Sequence, residues 1–299
     1  MSLHRLLAIL IAVVGLFAAP AVRAGTMPYA DGVLWRIDGV QKNTSYVFGT
    51  LHLSDERVTA LPDSVGRAFA QAQSLAIEAV LDNTAVLKLS RAMLLPGGQR
   101  LDALLTPDQT ARLRDAAAHY RMPVSMVSRF KPWGAMILFS LPPAEHLRVA
   151  AGQKPLDEAL RAQAEAAGKT VIGLETVEEQ IEALDGMTDA DQVLLLASTL
   201  EQAGEIERLF ATLRDAYLAR DLVAVYDLLN AAKGNDGSGV FSRLEQRLIV
   251  ARNRRMVERM GKLLQQGNAF VAVGALHLPG EQGILQLLAD RGYRVTRIY

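Results

Sequence analysis

The chain has 299 residues, 50% of them hydrophobic, and its 32 Lys and Arg balance 32 Asp and Glu to a formal net charge of +0 at pH 7. This much apolar sequence supports a packed interior and excludes a disordered chain, while neutrality removes the basic field that phosphate backbones select, so nucleic acid is not an expected partner. Cysteine is absent, which excludes disulfides, thiolate metal ligands and a lipid-anchor cysteine; any metal must use His, Asp or Glu.

The first segment in chain order reads as a secretory signal peptide. Met1-Ser-Leu-His-Arg5 leads into the apolar stretch 6–17, and small residues at Val22 and Ala24 precede Gly25 in the pattern of a cleavage site. The apolar stretch is shorter than the roughly 20 residues of a membrane span, so no stable span is expected after cleavage; an uncleaved anchor is the alternative. The expected mature protein, residues 25–299, is periplasmic or secreted and is read as one domain.

Strand-like apolar runs follow at 33–37, 46–48, 75–78, 171–174, 270–273 and 293–298. Two of them carry the same phrase: Tyr46-Val-Phe-Gly-Thr-Leu-His-Leu53 and Val271-Ala-Val-Gly-Ala-Leu-His-Leu278. The chain has only 5 histidines, so two in one local setting point to a site built from both ends. Gly49 and Gly274 let the chain bend and allow close approach at a strand end. If the two strands are neighbours, His52 and His277 face one crevice outside the strands' carboxyl ends. The alternative is a pair of hydrogen-bonded core histidines.

Arg57 follows His52 in Ser54-Asp-Glu-Arg57 and could stabilise an oxyanion, or be a surface loop residue. Glu78 ends the apolar run Leu75-Ala-Ile-Glu78, where a buried carboxylate requires a cation; an edge strand meeting water is the other reading. Thr106-Pro-Asp-Gln109 opens a helix with a capping box, and a second helix over 156–167 stops at Gly168. His119 and His146 read as surface residues. Glu175 sits where a short apolar run yields to a helix with Glu178 and Glu179, so the helix dipole alone could explain an acid there. From 188 to 265 the spacing is helical, broken by the loop Lys233-Gly-Asn-Asp-Gly-Ser-Gly239. Arg252 falls among Leu244, Leu248, Met256 and Met260 at spacing four, so it either points inward and wants a carboxylate such as Glu78 or Glu175, or an anionic substrate group, or sits at the boundary of the stripe and snorkels. Arg254, Arg255 and Arg259 read as a solvated basic face. The fold class that follows is α/β: a mixed sheet from the N- and C-terminal parts with a mainly helical insertion over about 84–265.

No serine-hydrolase elbow, Walker loop, Rossmann glycine triplet or His-Glu-x-x-His helix occurs, which leaves histidine and carboxylate chemistry. Two histidines and a carboxylate are the minimal non-thiolate set for a divalent ion that keeps open positions, acidifies water and polarises a carbonyl. Phe48-Gly-Thr-Leu-His52, Glu78, Gly173-Leu-Glu-Thr176, Arg252-Asn253 and Val273-Gly-Ala-Leu-His-Leu-Pro-Gly280 together resemble the TraB/GumN family, related to the Tiki proteases. The resemblance implies an α/β fold around the paired Gly-x-x-His motifs and a metal-dependent peptidase, with manganese or cobalt favoured and zinc a further option. Carried over, His52, Glu78 and His277 become the metal or catalytic set; the reading of the residues adds Arg57, Glu175 and Arg252 as further catalytic candidates, with Arg57 or Arg252 to stabilise the oxyanion. The fold also resembles erythromycin-esterase-like hydrolases, which implies a metal-free alternative with His52 as general base, and haem-binding ChaN-like proteins, which implies ligand binding without turnover. Peptides and small molecules are both open as substrates.

Overall fold

The computed structural model describes residues 27–39, 43–232 and 237–299. The expected leader at 1–24 and residues 233–236 of the expected loop lie outside the described residues. No helix among the described residues is long and apolar enough to cross a membrane.

All six expected strands form: β1 Leu34–Asp38, β2 Thr44–Thr50, β3 Ser74–Ile77, β4 Thr170–Gly173, β5 Ala269–Gly274 and β6 Arg294–Arg297. They make one sheet in the order β4-β3-β5-β2-β1-β6. β4, β3, β5 and β2 run parallel, while β1 is antiparallel to both β2 and β6. Residue type follows position in this order. Every residue of central β5 is buried, as a parallel strand covered on both faces requires. The edge strands β4 and β6 are exposed or half-buried throughout. Phe270 of β5 packs against Phe48 and Phe69, with ring centroids 5.8 and 5.4 Å apart. Burying one such ring contributes about 1.5–3 kcal/mol.

The sheet is therefore mixed and assembled largely from the two ends of the chain, as the apolar runs imply. The intervening stretch is helical apart from β4. Its Pro107–His119 helix carries the expected capping box between Thr106 and Gln109, and its Leu156–Ala166 helix is followed by Gly168 at φ +68°. The Ala251–Gln266 helix is preceded by one π-helical turn, Gln246–Val250. Beyond β5 the chain makes a turn at Ala275–His277, then the Ile284–Asp290 helix, then β6. Strand order was not legible from sequence, and it decides whether the two phrases meet: β2 and β5 are neighbours, pairing Gly49 with Val273 and Thr50 with Gly274. The two copies of the repeated phrase lie side by side, offset by one residue.

Candidate functional site

Ligands of open α/β sheets bind beyond the carboxyl ends of parallel strands. Four chain segments leave the sheet there: β2 into His52, β3 into Glu78, β5 into His277 and β4 into Glu175. Glu78 is the first residue after β3, and since β3 lies between β4 and β5 it cannot be the water-facing residue of an edge strand; it is 7% exposed. Its Oε1 is 3.8 Å from His52 Nε2 and 3.6 Å from His277 Nε2. The same oxygen accepts the Gly274 N–H at 2.7 Å.

Each ring is held from behind. His277 Nδ1 lies 2.6 Å from Asn253 Oδ1, and the Asn253 amide is oriented by Nδ2 donating to the Gln282 carbonyl at 2.8 Å. His277 Nδ1 therefore carries the hydrogen and Nε2 a lone pair. Burial pushes the His277 pKa down to about 3, so the ring is neutral. His52 Nδ1 contacts the Asp157 carboxylate. Burial lowers the His52 pKa, but Asp157 outweighs it and the net shift is upward. His52 Nε2 is buried and has no hydrogen-bond partner. Burial works to raise the Glu78 pKa, yet the Arg252 guanidinium holds it well below the carboxylate range, so it is ionised.

Arg252 donates from Nη2 to Glu78 Oε2 at 2.6 Å and from Nε to Glu175 Oε2 at 2.7 Å. Its Nη1 donates to the Leu248 carbonyl at 3.3 Å, so the guanidinium is committed to positioning the two acids. Glu175 is more than a helix-dipole acid. It precedes the Val177–Asp185 helix, its side chain is 0% exposed, and its other oxygen takes Arg255 Nη1 at 2.9 Å. Of the expected solvated face, Arg254 and Arg259 are exposed while bonding Gln282 and Glu179, whereas Arg255 is half-buried and pairs with Glu175, so this face also ties the 251–266 helix to its neighbours.

Arg57 is not brought into this group. Its guanidinium bonds Asp55 at 2.6 and 2.9 Å, and its side chain is 57% exposed. His119 is exposed as expected, but His146 is not a surface residue: it is 5% exposed, with Nε2 2.9 Å from the Leu138 carbonyl. Sequence reasoning missed Asp157 and the holding role of Asn253. Asp157 lies in a helix's first turn, where an acid needs no further explanation; Asn253 was visible only as the neighbour of Arg252.

Gly274 forms the floor. Its φ of −52° suits any residue, so glycine is there for space. A Cβ at Gly274 would lie 3.1 Å from His52 Nε2, 3.2 Å from Glu78 Oε1 and 3.5 Å from His277 Cδ2. As the side chains stand, no group of three or more His, Cys, Asp or Glu among the described residues has metal-holding spacing. The gap is small: ligands at 2.0–2.1 Å around a tetrahedral ion stand about 3.4 Å apart, a few tenths of an ångström inside the 3.6 and 3.8 Å separations. The donor set fits a divalent cation in kind. An ionised carboxylate oxygen faces the lone pair of His277 Nε2 and the unpartnered His52 Nε2 across a cradle that one methyl would fill. Buried acceptors that face one another need a cation or a proton between them.

A mixed α/β sheet with a buried His, Glu and His group at the ends of three parallel strands is the class of protein that fold and site define. The chain belongs to the TraB/PrgY/gumN family, whose description matches residues 33–297. It is 31% identical over 303 residues to a metalloprotease TIKI2 of Danio rerio, covering 84% of this chain and 58% of that protein. A metalloprotease TIKI1 of Homo sapiens is 27% identical over 315 residues, covering 89% and 61%. The chain thus spans about three-fifths of the length of these relatives. No solved structure matches it.

Proposed function

We propose that this protein is a metal-dependent hydrolase that cleaves peptide bonds, with His52, Glu78 and His277 holding a divalent ion. One observation carries the reading: buried His52 Nε2, His277 Nε2 and Glu78 Oε1 converge over Gly274 with no hydrogen bond among them. Similarity to proteins named metalloproteases supports peptides as the substrate class. The Tiki resemblance favours manganese or cobalt, with zinc a further option. Such an ion, when bound, acidifies water and polarises a carbonyl. The chain's own residues prepare the place: Asn253 and Asp157 hold the two rings, Arg252 keeps Glu78 ionised, and Gly274 leaves room. Export through the 1–24 leader belongs to the same reading and puts the activity in the periplasm or outside the cell.

The test is elemental analysis after loading with manganese, cobalt or zinc, run beside a peptide-hydrolysis screen, on the wild type, His52→Ala and His277→Ala. The expected result is stoichiometric metal and hydrolysis in the wild type, both lost in each variant while circular dichroism is unchanged. Full activity in both variants would remove the proposal. Hydrolysis that survives exhaustive chelation would favour a metal-free mechanism with His52 as general base. The Asp157 carboxylate behind its Nδ1 and its unpartnered Nε2 are the observations on that side.

A further inference from the structure

Asp157 belongs to neither copy of the repeated phrase, yet the structure fastens it to the first copy at three points. Its Oδ1 accepts the Thr50 hydroxyl at 2.6 Å. Its Oδ2 contacts His52 Nδ1. The backbone N–H of its neighbour Leu156 donates to the Leu53 carbonyl at 3.1 Å, which ties the start of the Leu156–Ala166 helix to the loop that carries His52. Thr50 is the last residue of β2 and 1% exposed, so the carboxylate is oriented by the sheet itself.

A neutral imidazole has two tautomers, and the partner of one nitrogen decides what the other presents. With hydrogen on Nε2, His52 would set a bare Nδ1 against the Asp157 carboxylate. With hydrogen on Nδ1, a donor faces Asp157 Oδ2, a buried oxygen with no other hydrogen-bond partner, and Nε2 offers its lone pair over Gly274. Across the centre, Asn253 holds His277 in the same way through an amide oxygen. We infer that Asp157, held by Thr50, is a positioning residue: it fixes His52 in the Nδ1–H tautomer and aims Nε2 at Glu78, as Asn253 does for His277. The role in metal binding rests on the function proposed above; the tautomer does not.

Asn at position 157 can do the same work, because its oxygen accepts from His52 Nδ1 while its NH2 group donates to the Thr50 hydroxyl, which accepts as readily as it donates. Ala cannot. The full-length protein, free of metal and 15N-labelled at histidine, is studied at alkaline pH by long-range proton–nitrogen correlation spectra, with His52→Ala for assignment. Wild type and Asp157→Asn should show the Nδ1–H form of His52. Asp157→Ala should shift His52 to the Nε2–H form and leave His277 unchanged. Titration with manganese or cobalt alone should show affinity about 10- to 100-fold weaker in Asp157→Ala and within a few-fold of wild type in Asp157→Asn. Asp157→Leu, of similar volume, carries the same readouts should the Ala variant fail to fold. An unchanged His52 tautomer in the Ala or Leu variant overturns the inference, as does an Asn variant that behaves like Ala. A wild type that binds neither metal, with the tautomer switch intact, overturns the metal reading and leaves the positioning role standing.

Discussion

Replacing Gly274 by Ala puts one methyl group at the convergence point and changes nothing else in the covalent chain. At φ −52° and ψ 136° an alanine meets no backbone strain. The cost is steric: the new carbon stands 3.1 Å from His52 Nε2 and 3.2 Å from Glu78 Oε1, closer than ordinary van der Waals contact. Neither neighbour yields cheaply, since Asp157 backs His52 and Arg252 backs Glu78. Overpacking of this kind costs about 1–3 kcal/mol, a Tm decrease of roughly 2–10 °C for a chain of this size. On the function proposed above the effect on the centre is larger, because ligands displaced by a few tenths of an ångström lose their common focus; metal affinity should fall about 100-fold. Gly66→Ala is the control. It lies in the Asp63–Gln71 helix with nothing within 4 Å of the added carbon, so it should gain about 0.5–1 kcal/mol and leave affinity untouched. Isothermal titration with manganese or cobalt and thermal melts read both. A Gly274→Ala protein with wild-type affinity and turnover would refute the convergence as the functional centre.

Arg252→Met leaves Glu78 and Glu175 buried without their shared cation, a loss of about 3–5 kcal/mol; thermal melts should show a Tm decrease on the order of 10 °C, and an unchanged Tm would contradict the buried triad. Acid sensitivity follows from two carboxylates. The Arg57 guanidinium bonded to Asp55 lowers that group from 3.8 to about 2, and Arg259 lowers Glu179 from 4.5 to about 2. Because both folded values lie below the unfolded ones, their stabilisation is complete above about pH 4.5 and is lost as pH falls toward 2. Urea midpoints measured from pH 7 to 2.5 should decline in that window, less steeply in Asp55→Asn, and an identical decline in that variant would count against the pairing.

The strands were legible because their apolar runs are short, β-rich and bounded by breakers, and the paired histidines were legible because a repeated phrase is a local signal. Arg252 was readable as inward-facing from the spacing of Leu248 and Met256, both buried. What escaped were contacts between residues far apart in the chain. Asp157 looks like any first-turn acid until the fold sets it against Thr50 and His52. His146 follows a proline-rich turn that reads as surface, yet its burial against Leu138 and Tyr120 is decided by tertiary packing. Arg57 failed in the opposite sense: nearness to His52 in sequence suggested a shared crevice, but Asp55, which caps the short Glu56–Thr59 helix, takes its guanidinium.

The position of β5 has a consequence for how the molecule is made. β5 lies between β3 and β2 and, among the strands of the described residues, is the one that joins the β4-β3 pair to the β2-β1-β6 group. Its partner β2 is distant in sequence: the Ala269 N–H reaches the Ser45 hydroxyl across 224 residues. Closing so long a loop is paid for before any pairing rewards it. A chain synthesised only as far as residue 268 carries β1 to β4 with His52 and Glu78, but not β5, β6 or His277. Strand insertion that joins the two parts of the sheet and strand insertion that brings His277 beside Glu78 and His52 are one event.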